Sequence, residues 1–157
     1  MSRRSLHILL VEDDDVDAEF IVRVFQHNAA QPLITVARNG IEALAVLRGI
    51  AGHATPLQPY LILTDLNMPQ MNGLEFLREL RQDPQLRQSI VFVLTSSALE
   101  EDKRAAYEQQ VAGYLLKASV TANYSHLLNL IAAYYEHIEF PPEGYPLPTL
   151  SSPCLPD

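Results

Sequence analysis

Leu61-Ile62-Leu63-Thr64-Asp65-Leu66-Asn67-Met68-Pro69-Gln70-Met71-Asn72-Gly73 decides how this chain is read. The apolar run from Leu61 to Leu63 predicts a strand buried on both faces. It ends at a carboxylate, Asp65, and breaks into a loop carrying Asn67, Pro69 and Gly73. In an open parallel sheet, ligands bind in the crevice outside the carboxyl ends of the strands. Asp65 is therefore expected at such an edge. A second apolar run, Leu6 to Val11, ends the same way on Glu12-Asp13-Asp14.

Working outward, the pattern alternates strand and helix. Strands are expected at Leu6–Val11, Leu33–Ala37, Tyr60–Thr64, Ile90–Thr95 and Gly113–Leu116. Helices are expected at Asp15–His27, Gly40–Arg48 behind an Asn39 cap, Gly73–Gln82, Leu99–Gln109 and Ala122–Phe140. Together they predict an α/β fold with a five-stranded parallel sheet, doubly wound with helices on both faces. The expected domain covers residues 1–140. Residues 141–157, with Pro141, Pro142, Pro146, Pro148, Pro153 and Pro156, read as a non-helical tail with no effector domain.

Composition limits the function classes. The 157 residues fit one domain, and 48% hydrophobic content is enough for a real core. No apolar run approaches the roughly 18–20 residues of a membrane span. The basic start, Met1 to Ser5, leads into a short apolar segment that turns acidic, unlike a signal peptide, so a cytoplasmic location is expected. Cys154 is the only cysteine, which excludes an internal disulfide. A net charge of −8 with no dense basic cluster argues against nucleic-acid binding.

Carboxylates gathered at strand ends repel one another, and a hard cation neutralises them. Oxygen donors of this kind suit Mg²⁺. Glu12 to Asp14 alone fit equally a solvated loop capping the following helix; convergence with Asp65 favours the metal. The Ile90–Thr95 strand ends on hydroxyls, and the last strand ends on Lys117. Alone, Thr95 reads as a cap or buried hydroxyl and Lys117 as a surface lysine. Together they describe a phosphoryl pocket with Asp65 as nucleophile.

Val11-Glu12-Asp13, Asp65-Leu66-Asn67-Met68-Pro69 with Gly73, Thr95, and Tyr114 with Lys117 stand in the order and spacing of a known family. Over roughly residues 5–138 the chain resembles the receiver domain of two-component response regulators, which have a flavodoxin-like (βα)5 fold. The resemblance implies that Asp65 is the phosphoacceptor. It makes Asp13 the direct Mg²⁺ ligand, Glu12 a ligand through water, and Asn67 a ligand through its backbone carbonyl. Lys117 would pair with the phosphoryl group, Thr95 would move toward it, and Tyr114 would be the switch aromatic that turns inward. The other reading of Tyr114 is an ordinary core or interface aromatic. Ser97 and Asn67 flank the route of attacking water in similar proteins.

Such proteins catalyse only their own phosphotransfer and dephosphorylation, and are not enzymes acting on external substrates. They signal through contacts with other proteins. The implied partner is a sensor histidine kinase, and the long last helix followed by Glu139-Phe140-Pro141-Pro142 resembles receivers paired with bacterial phytochromes. Tyr134, Tyr135, Ile138 and Phe140 read as an interface for a symmetric homodimer, or else as residues that are core or covered by the tail.

One departure stands out: receivers usually carry Pro after the lysine, and here Ala118 follows Lys117. A cis bond before a non-proline costs about 2.5–4 kcal/mol, so a trans bond and a shifted loop are expected. Two rivals are weighed. A haloacid-dehalogenase-type phosphohydrolase needs a second Asp where Asn67 stands, and a flavodoxin-like electron carrier needs a phosphate-cradling loop where Glu12-Asp13-Asp14 stand. A degenerate receiver acting as a constitutive binding module is the third alternative, kept open by Ala118.

Overall fold

A computed structural model describes residues 6–27, 32–53, 55–56, 60–122 and 124–142. Of the tail expected over 141–157, residues 143–157 lie outside the described residues.

Five strands, β1 (His7–Val11), β2 (Leu33–Ala37), β3 (Tyr60–Thr64), β4 (Ile90–Thr95) and β5 (Gly113–Leu116), form one parallel sheet in the order β2-β1-β3-β4-β5. β3 is buried throughout because it lies at the centre with helices on both faces. Side chains alternate along it. Ile62 joins Leu9, Val11, Val91 and Val93 in one core, and Leu61 and Leu63 join Ile8, Leu10, Phe92 and Leu94 in the other.

The first core is closed by α2 (Gly40–Arg48), α3 (Gly73–Gln82) and α4 (Glu100–Glu108). The second is closed by α1 (Asp15–Gln26), α5 (Lys117–Ala122) and α6 (Tyr124–His137). The architecture is thus the doubly wound one the sequence predicts. Caps account for the helix starts. Asp14, Asn39 and Asn72 each accept a backbone N–H of the first turn, and Asn72 with Glu75 completes a capping box. α4 differs from these three, with no side-chain cap and only Ala106 among its buried residues.

The C-terminal region departs from expectation. The predicted shifted loop after β5 is replaced by α5, whose first residue is Lys117 itself. Val120 is 7% exposed, so burial of one apolar side chain ties this short helix to the sheet. α6 then ends at His137 rather than Phe140, consistent with the bias of a residue before proline away from helix. Among the described residues no helix is long and apolar enough to cross a membrane.

Register places the site. Val11 is paired with Thr64 and Thr95 with Leu116, so the next residues, Glu12, Asp65, Ser96 and Lys117, emerge together at the carboxyl edge.

Candidate functional site

Asp65 sits at the end of β3, 5% exposed, with both carboxylate oxygens engaged. Oδ1 accepts the backbone N–H groups of Leu66 at 2.6 Å and Asn67 at 3.4 Å. Oδ2 accepts from Lys117 Nζ at 2.9 Å. The loop beyond Asp65 folds back tightly: Gly73 N–H donates to Leu66 O at 2.9 Å. A Cβ on Gly73 would fall 2.1 Å from Asp65 O, so only glycine permits this approach.

Glu12 extends β1 by one residue, donating its N–H to Ala37 O at 2.9 Å, and is 2% exposed. Its Oε1 accepts Asp14 N–H at 3.2 Å and its Oε2 meets Lys117 Nζ at 2.8 Å. Burial pushes the Glu12 carboxyl up to about 7; the Asp65 charge adds to the rise and the Lys117 contact opposes it. Asp13 is more open to solvent. Carboxylate oxygens of Glu12, Asp13 and Asp65 lie within 4.8 Å of one another. An all-oxygen donor set at this spacing, partly open to water, fits a hard divalent cation such as Mg²⁺.

Lys117 reaches the site from the start of α5. Its Nζ contacts Asp17 at 2.7 Å, Glu12 at 2.8 Å and Asp65 at 2.9 Å. Burial works against its charge, but these three carboxylates outweigh that and hold the ammonium above the ordinary lysine value. Ala118 therefore does not keep Lys117 from Asp65.

Thr95 is fully buried at the end of β4, and its hydroxyl accepts Ser97 N–H at 3.3 Å. Ser97 Oγ donates to Asp102 Oδ2 at 2.5 Å, fastening the loop to α4. Tyr114, on β5, packs its ring against the first core and donates its hydroxyl to Ser97 O at 2.7 Å. Burial pushes the Tyr114 phenol above its usual range, while the Ser97 bond opposes. Asn67 is exposed, with its N–H on Asp65.

The residues singled out in the sequence thus gather at one edge: Glu12, Asp13, Asp65, Asn67 and Lys117 around the carboxylate, and Thr95, Ser97 and Tyr114 alongside. Asp17 was missed. It lies in the first turn of α1, where an acid reads as an ordinary helix-dipole partner, and its lysine is distant in sequence. Of the group expected at an interface, the three aromatics are half-buried. Tyr134, Tyr135 and Phe140 pack on the second core, and Tyr134 meets Phe92 edge-on at 5.1 Å. Ile138 is 41% exposed and Leu130 is 39% exposed on the same helical region.

Known proteins share this fold and sequence pattern. The family described as the response regulator receiver domain matches residues 8–129. The response regulator Rcp1 of Synechocystis sp. is 38% identical over 111 residues, covering 71% of this chain and 76% of the relative. The structure of the phosphorylated cyanobacterial phytochrome response regulator RcpA superposes with a TM-score of 0.75 at 32% identity, covering 88% of this chain and all (100%) of that one. The Mn²⁺-bound form of Rcp1 gives a TM-score of 0.74 at 31% identity, covering 87% and 99% of the two chains. By fold, edge geometry and sequence match together, this chain belongs to the response regulator receiver domain family.

Proposed function

We propose that this chain accepts a phosphoryl group on Asp65 from a phosphohistidine of a sensor kinase and signals by changing its contacts with other proteins. The observation that carries the proposal is the Asp65 carboxylate itself, buried at a strand end beside Lys117 and two further carboxylates. An Asp65 oxygen attacks phosphorus, the P–N bond to the kinase histidine breaks, and an acyl phosphate forms on Asp65. Asp13, Asp65 and the Asn67 carbonyl would hold Mg²⁺, with Glu12 acting through water. When bound, the cation offsets charge on the phosphoryl oxygens. Lys117 pairs with one phosphoryl oxygen and the Thr95 hydroxyl donates to another.

The new group puts nearly two negative charges where one stood. Thr95 is drawn toward it, and the loop through Ser97 follows. Tyr114 is bonded to that loop, and α4 is fastened to it through Asp102. α4 buries little, so its position is the one a small force can change. Phosphorylation shifts the population between two packings of this face. Leu130 on α6 and Ile138 just beyond its end supply exposed apolar surface for a symmetric homodimer.

The likeness to RcpA, named as a phytochrome response regulator, supports a phytochrome-type histidine kinase as donor. Transfer from a purified, autophosphorylated kinase of that type tests this reading. The wild type should take up label in the presence of Mg²⁺ and Asp65→Asn should take up none. Equal labelling of both would overturn the assignment of Asp65. A constitutive binding module is the alternative; it predicts no labelling and partner binding indifferent to Asp65→Asn.

A further inference from the structure

Lys117 has three N–H donors and spends all of them on carboxylates: Asp17, Glu12 and Asp65, at 2.7, 2.8 and 2.9 Å. Two of these acids, Glu12 and Asp65, belong to the oxygen trio that fits a divalent cation, and Asp17 does not. Ammonium and cation therefore compete for the same oxygens, and they repel each other. Something must hold Lys117 when Glu12 is engaged elsewhere.

Asp17 is set up for that role by its place in α1. It stands three residues after the cap, and its N–H donates to Asp14 Oδ1 at 3.0 Å. A Glu or Gln there commonly reaches back to the N–H of the capping residue, and Asp17 is one methylene shorter. Here that N–H is occupied by Glu12 Oε1, and the Asp17 carboxylate turns instead to Lys117. The pair also borders a cavity of about 30 Å³ lined by Phe20, Ile21, Leu94 and Val120. That water-sized space leaves the lysine stem on an apolar wall that does not fully enclose it.

We infer that Asp17 is a positioning residue: it retains the Lys117 ammonium beside Asp65 when Lys117 cedes Glu12 to a bound divalent cation. The inference rests on the metal reading of the Glu12, Asp13 and Asp65 cluster. It assigns to a residue of the first helix a share in keeping the lysine at the phosphorylation site.

The test is a double-mutant cycle in Mn²⁺ affinity, measured by calorimetry on the full chain at constant ionic strength. The four proteins are wild type, Asp17→Asn, Lys117→Met and the double variant, each checked for native circular dichroism. With Lys117 present, Asp17→Asn should weaken Mn²⁺ binding by about tenfold, and in the Lys117→Met background by less than about twofold. Equal factors in both backgrounds would show that Asp17 acts only through its charge on the cation, and would overturn the inference while leaving the metal site intact. No Mn²⁺ binding by the wild type would overturn the metal reading itself and the inference with it.

Discussion

The hydroxyl of Tyr114 donates to the carbonyl oxygen of Ser97 at 2.7 Å, tying β5 to the loop that follows Thr95. The bond couples an aromatic ring on β5 to the strand end beside Asp65. Tyr114→Phe keeps the ring and removes only this bond. The expected loss is about 1 kcal/mol in urea unfolding. Amide exchange should quicken in α4, which has no side-chain cap of its own, and unchanged exchange there would contradict the coupling.

Lys117 separates buried acids that otherwise face one another. Replacing it by Met should lower stability without divalent cations by roughly 2 kcal/mol, less than for a fully buried pair because one carboxyl can take up a proton. Mg²⁺ should raise the melting temperature of this variant more than that of the wild type, since no ammonium competes for Glu12 and Asp65. Phosphorylation by a small donor should slow about 100-fold or more, from loss of a charged group at the developing phosphoryl charge.

The Glu12 carboxyl gives a pH signature. Its folded-state value is raised from 4.5 to about 7, so between those values the folded protein binds more protons than the unfolded chain. Stability then falls as pH rises through that window, by on the order of 3 kcal/mol at most from this group. Lys117, raised above its ordinary value, stays charged across the same window and adds no slope there. Urea unfolding without divalent cations at pH 5 and pH 7.5 should show the decline, and Glu12→Gln should flatten it.

Gly73→Ala tests the tight return of the loop after Asp65. A Cβ there would meet Asp65 O and Leu66 Cα, both backbone atoms that cannot swing aside. The expected cost is about 2 kcal/mol or more. The loss should extend to phosphorylation, because Leu66 N–H holds Asp65 Oδ1.

Most of the fold was legible because apolar runs bounded by polar breaks leave few choices. Four of the five strands have the bounds read from sequence, and the first starts one residue later than Leu6. α5 was not legible. Lys117-Ala118-Ser119-Val120-Thr121 has β-branched residues and no cap signal, and its helical form depends on burying Val120 against the sheet. The site residues were legible as strand ends, since topology alone carries them to one edge. Asp17 was not, because no local spacing connects a first-turn acid of α1 to a lysine on the far side of the sequence. The width of the aromatic group around Tyr134 has a packing component that the sequence does not show: Tyr134 and Phe140 lie half-buried and edge-on to each other, and Tyr134 also meets Phe92.

The most direct test of the central claim is intact mass after incubation with Mg²⁺ and acetyl phosphate, for the wild type beside Asp65→Asn. The account predicts a gain of one phosphoryl group in the wild type alone, abolished by removing Mg²⁺ with a chelator. No gain in the wild type, under conditions that label another receiver, or the same gain in both proteins, would contradict it.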